Sequence, residues 1–529
     1  MVKYSSFNRI MNARDLFKNG ASSKSLMSIE YFRIKQFLGV LLLLMLIGCS
    51  RQKETVITVE FPDQPEVNTL FYSEPISGIN FVEFRDTLKA NETGKFELKI
   101  KITQPSFVSI WVNPRSRVKL LVEPGNNYHV FMELQKNAEI TGANEKGQML
   151  YATLSDTDYI ERDLEKIGIN IFNISDTISL IYVHNKINEL KQSEILKFKE
   201  LLDRKEITKS FFDLVKKDRD CYYASLEAVF SIIKTDDGMN IEDDLLENLT
   251  KIYDQYPPND KNLLFSSFWR EYAKFYVTGY KQYIQDDFDV QKLEYLEESG
   301  MYNTHIINEA KKYLNGKALE FFQAQYFYIK FLQVYSRYEK EFITLFEQFE
   351  KDYPKSGFSR FLKPYVDEII DYFRIIEQPF DKDILLIDNY ENINTLEDAI
   401  KPLRGKKIYI DVWGTWCNPC IREFTHNETL KKILAENNIQ PLYISIRDDD
   451  DQKWRNAIKH YHLTGAHIRA NQELFIDLER VFSKDLERSY ISIPWYILID
   501  EEGNIMEERA KSPSQLVAGE ELWQAARVH

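Results

Sequence analysis

Two cysteines three positions apart, Cys417 and Cys420, close the stretch Asp411-Val412-Trp413-Gly414-Thr415-Trp416-Cys417-Asn418-Pro419-Cys420. The apolar run Ile408-Tyr409-Ile410 leads in and reads as a buried strand. Apolar residues at Ile421, Phe424, Leu430, Ile433 and Leu434 then follow a helical period. Cys417 therefore falls where a strand hands over to a helix. The first turn of a helix presents unpaired N–H groups and the positive end of the macrodipole, and both favour a thiolate over a thiol. A thiolate attacks disulfides, and a second cysteine one turn on can attack the mixed disulfide that results. The pair fits a two-cysteine redox centre.

Two other readings of the spacing are weaker. Half of a zinc site would need two more ligands, and the other cysteines, Cys49 and Cys221, stand far away in unlike contexts. A purely structural disulfide at this spacing closes almost no loop and stabilises little.

The elements that must position such a centre belong to a chain of 529 residues, too long for one ordinary core. About two to four domains are expected. A hydrophobic share of 44% supports packed globular domains, and a formal net charge of −14 argues against nonspecific nucleic-acid binding. Four cysteines do not make a disulfide framework.

Near the N-terminus, Phe37 to Ile47 is an eleven-residue apolar run, too short to span a bilayer. Arg33 and Lys35 precede it and Leu46-Ile47-Gly48-Cys49 closes it, the layout of a secretory signal. Leu-x-Gly-Cys resembles the lipobox of bacterial lipoproteins. That resemblance implies cleavage before Cys49 and a diacylglycerol on its sulfur. Residues 1–48 are read as a lipoprotein signal peptide, with Met27 as an alternative start, and 49–54 as a short polar tether. The expected location is the cell envelope, lipid-anchored to a bacterial membrane and facing the periplasm. Disulfide chemistry suits a compartment outside the cytosol.

Residues 55–144 read as an all-β, sandwich-like domain. Lys95 to Ile102 alternates polar and apolar, and Phe107–Val112, Arg117–Val122 and Tyr128–Leu134 are further strands. His129 is expected to be a satisfied structural histidine. Residues 145–385 read as an all-α domain rich in aromatics. There Phe342, Leu345, Phe346 and Phe349 share one helix face, and Asp236-Asp237-Gly238 and Pro257-Pro258 break the run. Cys221 lies in a helical pattern and reads as a buried, inert thiol. Residues 386–529 alternate strand (406–412), helix (418–435), strand (441–446), helices (452–462 and about 472–482), strands (495–500 and 505–508) and a last helix from Ser514. That order gives an α/β sheet ending in an antiparallel hairpin.

Several residues of this last stretch resemble the thioredoxin superfamily, and within it the TlpA-like and ResA-like membrane-tethered thiol-disulfide oxidoreductases. They are Trp416-Cys417-Asn418-Pro419-Cys420, Asp411 six residues before Cys417, Ser492-Ile493-Pro494 before an apolar strand, and Ile497-Leu498-Ile499-Asp500 with Gly503. The resemblance implies a thioredoxin-like fold. It implies Cys417 as the exposed attacking thiolate and Cys420 as the resolving thiol. Asp411, flanked by Ile410 and Val412, would accept the Cys420 proton, since burial raises a carboxyl pKa. Pro494, in cis form, would set the Ile493 backbone beside Cys417 to pair with an extended substrate, with Trp416 and Trp495 flanking the groove. Exported thiol or disulfide proteins would be substrates, and a redox-partner protein would reset Cys417 and Cys420. The net direction implied is reduction or rearrangement. Two departures stand out. Thr425 replaces a common proline, so a straighter helix is expected, and Asn418 replaces a common glycine.

No metal or cofactor is assigned. His460, His462 and His467 lack a completing carboxylate or cysteine, and Asp448-Asp449-Asp450-Asp451 reads as helix capping and a solvated loop. The competing function is an exported binding or assembly lipoprotein in which the redox domain is subsidiary. A thiol peroxidase is disfavoured by the absence of a P-x-x-x-T-x-x-C context.

Overall fold

The computed structural model describes residues 53–518, except 82, 114, 135–137, 155–159, 171–177, 236–242, 286–289, 334–337 and 483–491. The signal segment, Cys49, most of the 49–54 tether and Asp236-Asp237-Gly238 lie outside the described residues. Among the described residues no helix is long and apolar enough to cross a membrane. The chain divides into two compact units, one reaching to Ser155 and taking in Glu194–Lys216, the other holding Asp156–Ser193 and Lys217 onward.

The first unit is a β-sandwich. One sheet has the order β4-β1-β7-β8, from Phe96–Ile102, Lys53–Glu60, Asn127–Phe131 and Glu139–Gly142. The other has the order β3-β2-β5-β6, from Asp86–Lys89, Thr69–Ser73, Ser106–Asn113 and Ser116–Val122. Along β4 each alternate residue from Phe96 is buried, so the polar/apolar alternation becomes a wet face and a core face. Ile57, Leu98, Val108, Leu120 and Val130 meet in one core shared by both sheets. His129 corrects the expectation made of it. On β7 it points to the exposed side, because the alternation that buries Tyr128 and Val130 turns it outward.

The second unit begins with helices. The expected apolar face of Glu341–Asp352 is buried at Phe342, Leu345, Phe346 and Phe349. Phe342 meets Phe327 and Phe331 edge-on, with ring centroids 5.8 and 5.1 Å apart. Cys221 is buried and free, and burial pushes its thiol far above the ordinary range.

The C-terminal α/β domain has a six-stranded sheet of order β14-β13-β10-β11-β12-β9. The strands are β9 Ile384–Leu386, β10 Lys407–Trp413, β11 Ile439–Ser445, β12 Gly465–Arg469, β13 Trp495–Ile499 and β14 Ile505–Glu507. β10, β11, β12 and β9 run parallel. β13 and β14 form the antiparallel hairpin. β10 is central, with Ile408 to Trp413 all buried, as a strand covered on both faces must be. Neither β9 nor β12 is legible beforehand, since each is short and β12 carries His467 and Arg469.

The cysteine-bearing helix corrects the expectation of a straighter run. It consists of Asn418–Glu423, a 3-10 turn over Phe424–His426, and Asn427–Glu436. The Thr425 hydroxyl donates to the Arg422 carbonyl at 2.7 Å. A side chain competing for a helix carbonyl interrupts the ladder much as a missing N–H would.

Candidate redox site

β10 delivers the chain to the site. Gly414 follows it, and a Cβ there would stand 2.8 Å from the Trp416 indole nitrogen and 3.2 Å from the Ile446 carbonyl. The Cys417 N–H donates back to the Gly414 carbonyl at 3.0 Å. Cys417 is itself the N-cap of Asn418–Glu423, its Sγ accepting the Cys420 N–H at 3.2 Å. Pro419 occupies the first turn, where its missing N–H costs nothing. Cys417 and Cys420 are joined as a disulfide with Cα atoms 5.3 Å apart.

Cys417 is 3% exposed, which corrects the expectation of an exposed thiol. It is bonded to Cys420 and belongs to the same buried core as Trp413, Phe424 and Trp495. Cys420 is fully buried.

Asp411 is 2% exposed, and its Oδ1 has no hydrogen-bond partner among the described residues. Burial, and then the charge of Glu423, hold its carboxyl well above the usual carboxylate range. Such a group holds its proton to higher pH than an ordinary carboxyl, so its carboxylate is a stronger proton acceptor inside the domain. Its charge in turn raises the hydroxyls of Tyr409, Tyr443 and Tyr496, which burial already raises. Glu423 is anchored by the Ser514 N–H at 2.9 Å and the Ser514 hydroxyl at 3.0 Å.

Pro494 follows a cis peptide bond from Ile493. β13 begins at the next residue and pairs Trp495 with Val412 and Tyr496 with Asp411. Because β13 runs antiparallel to β10, its start and the end of β10 share one end of the sheet. Pro494 and Cys417 therefore lie toward the same end. Ile493 packs partly buried against the core that holds Cys417. Trp416 is half-buried and donates to the Ile446 carbonyl at 3.2 Å. Trp495 is buried, donates to the Glu508 carbonyl at 2.6 Å and carries the Arg509 guanidinium 4.4 Å above its ring.

These features describe a known kind of domain. Residues 389–517 match the model of the Redoxin family. The C-terminal region carries a Redoxin domain and is similar to ResA thiol-disulfide oxidoreductases. The thiol-disulfide oxidoreductase ResA of Bacillus thuringiensis subsp. konkukian is 24% identical over 111 residues, 21% of this chain and 57% of that one. ResA of Bacillus anthracis is 30% identical over 64 residues, 12% of this chain and 36% of its own. The chain thus spans between about a third and three fifths of the relatives it matches. Among solved structures, a thiol:disulfide interchange protein of Chlorobium tepidum TLS is 20% identical and covers 22% of this chain and 79% of its own, with a TM-score of 0.19.

Two of the histidines have bonding partners outside the cysteine pair. His460 bonds the Tyr338 hydroxyl at 2.9 Å, and His467 is buried on β12, bonded to the Leu463 carbonyl at 2.7 Å. His462 is a left-handed residue at the end of Asp451–His460.

The aspartate run divides. Asp450 caps Asp451–His460 by accepting the Lys453 N–H at 2.9 Å, as capping requires. Asp448 corrects the solvated-loop reading. It is 8% exposed and bonded to Thr415 and Ser445. The sequence offered a signal for it, since the residue just past a parallel strand sits at the end of the sheet where α/β folds place ligands. Glu423 is also missed by pattern alone, although its place three residues after Cys420 puts both on one helix face.

Proposed function

We propose that the chain is a thiol-disulfide oxidoreductase that works through Cys417 and Cys420, anchored in the cell envelope by a lipid on Cys49. The observation that carries the reading is a disulfide whose first sulfur caps a helix while a buried, raised carboxyl, Asp411, lies on the strand that leads into it.

In the dithiol form the Cys417 thiolate attacks one sulfur of a substrate disulfide. The other sulfur leaves as a thiolate, and a mixed disulfide joins Cys417 to the substrate. Cys420 then yields its proton to Asp411 and attacks the Cys417 sulfur. The second substrate sulfur leaves, and the Cys417–Cys420 disulfide forms. Two electrons have passed to the substrate. In reverse, a substrate thiolate attacks Cys417, and Cys420 leaves with the proton that Asp411 held.

Exported thiol or disulfide proteins are the substrates in this reading, and reduction or rearrangement is the net direction. A redox-partner protein returns the pair to the dithiol. Ile493, Trp416 and Trp495 contact the substrate from the end of the sheet they share with Cys417, and Pro494 holds that turn. The periplasm-facing, lipid-anchored location rests on the Leu46-Ile47-Gly48-Cys49 pattern.

Trapping tests the exchange. Cys420→Ser should accumulate mixed disulfides through Cys417, identified by mass spectrometry after non-reducing separation. Capture no greater than in a Cys417→Ser control would remove the reading.

A further inference from the structure

The cysteines and Asp411 account for electrons and protons, but not for the buried carboxylate beside the loop that presents Cys417. Asp448 follows β11, and its carboxylate is surrounded by donors. The Thr415 N–H reaches Oδ2 at 3.0 Å and Oδ1 at 3.3 Å. The Thr415 hydroxyl donates to Oδ1 at 2.5 Å, and the Ser445 hydroxyl donates to Oδ2. Arg469 holds the same turn by its backbone, donating to the Asp448 carbonyl at 3.0 Å.

Thr415 stands two residues before Cys417. The loop around it is tied to the same turn twice more. The Ile446 N–H donates to the Trp413 carbonyl at 2.9 Å, and the Trp416 indole donates to the Ile446 carbonyl at 3.2 Å. Asp448 supplies the side-chain acceptor of this clamp. A buried carboxylate is costly unless several donors meet it, and a neutral side chain could cap an ordinary turn. Here three side-chain and backbone donors converge on one carboxylate, and two of them belong to the residue that sets the approach to Cys417.

We propose that Asp448 is a positioning residue for thiol exchange: through Thr415 it fixes the backbone that sets the Cys417 sulfur at the helix N-terminus. The inference rests on the exchange reading and deepens it. The chemistry is sensitive to such placement, since a displacement of about 1 Å at a reacting group can cost on the order of 100-fold in rate.

The test uses the full chain, reduced, with oxidised glutathione as the probe. Three quantities are measured: the second-order rate, the pH profile of Cys417 alkylation by iodoacetamide, and the thermal midpoint. Asp448→Ala should slow the reaction by about tenfold or more and displace the alkylation profile. Asp448→Asn, which keeps an acceptor for Thr415, should restore the rate to within about threefold. Thr415→Val, which leaves Asp448 in place, should slow the reaction by about threefold or more. Joined to Asp448→Ala, it should add little, because the two side chains act as one unit. A lowered thermal midpoint with an unchanged rate and profile in Asp448→Ala overturns the proposal. If that variant does not fold, an unchanged rate in Thr415→Val overturns it equally. A wild-type chain inert toward oxidised glutathione would remove the exchange reading, and this one with it. A reactive wild type beside unaffected variants removes this one alone.

Discussion

Glu423 is the side chain whose charge, after burial itself, raises the carboxyl of Asp411. The two come from different elements, β10 and the helix that carries Cys420. Asp411 is sealed in the core, while Glu423 is only half-buried and held by Ser514. Removing the Glu423 charge should ease ionisation of Asp411. Glu423→Gln is therefore expected to move the acid limb of the exchange rate toward lower pH. The check is a pH–rate profile of the Cys420 resolving step, and a limb that stays in place would detach Glu423 from Asp411.

The raised carboxyl of Asp411 also carries a stability cost whose sign can be worked out. Its folded pKa lies above the ordinary value of 3.8, so the folded state holds a proton that the unfolded state has lost. The contribution of this group is fully present below about 3.8 and is lost as pH rises through the folded pKa. Asp411→Asn should raise stability at pH 8 by about 1–3 kcal/mol, with a smaller gain at low pH. Thermal or urea denaturation at several pH values measures it. The same variant should slow resolution by Cys420, so a more stable domain that is slower in exchange is the expected combination.

His467 has the opposite sign. Burial pushes its pKa down to about 3, and it stacks on Tyr443 with ring centroids 4.9 Å apart. The unfolded chain binds a proton near the ordinary 6.5 that the folded chain refuses until about 3. Its contribution is present above 6.5 and is lost as pH falls through that window. His467→Phe should flatten the acid limb of stability while lowering stability at pH 7 by about 1–2 kcal/mol, since the Leu463 carbonyl loses its donor. An acid limb of unchanged slope would place the sensitivity elsewhere.

These sites differ in how far the sequence announces them. The places of Cys417, Cys420, Asp411 and Pro494 are legible because each is tied to local neighbours: a strand, a helix start, an apolar flank, a proline before a strand. The alternation of β4 and the apolar face of Glu341–Asp352 are legible for the same reason, since periodicity is local. Asp448 is not, because its partner Thr415 is 33 positions away and only the parallel pairing of β10 with β11 brings them together. Burial of Cys417 is invisible too, since it depends on the core assembled from distant parts of the domain rather than on spacing. The 3-10 turn over Phe424–His426 escapes because it goes with a hydroxyl, that of Thr425, bonding a helix carbonyl.

Gly414 gives a steric prediction. Any side chain there meets the Trp416 indole nitrogen and the Ile446 carbonyl, the two partners of a single hydrogen bond. Gly414→Ala should break that bond and cost about 1–3 kcal/mol, with exchange slowed as well. A loss of stability with full exchange would mean that the loop tolerates a shift without moving Cys417.

The β-sandwich unit supplies a control that separates stability from chemistry. Glu123 is buried, and its carboxylate accepts from Asn144 at 2.8 Å, from the Thr208 hydroxyl at 2.7 Å and from the Ser210 hydroxyl. Its own carbonyl accepts from Thr55 at 2.9 Å. These bonds fasten the strands to residues of the Glu194–Lys216 segment that belongs to the same unit. Glu123→Ala strips the carboxylate and leaves the buried Asn144 amide without its acceptor, while the Thr208 and Ser210 hydroxyls stand open to water, an expected loss of about 1–2 kcal/mol. Glu123→Gln keeps acceptors for some of them and should lose less. Neither change touches the Redoxin domain, so the rate of Cys417 exchange per folded molecule should not move. The measurement is unfolding of the whole chain followed alongside its reaction with oxidised glutathione. A transition lost early with the exchange rate intact is the expected pattern. An exchange rate that falls in step with the sandwich would instead tie the first unit to the chemistry of the second, and would make the β-rich region part of the oxidoreductase rather than its companion.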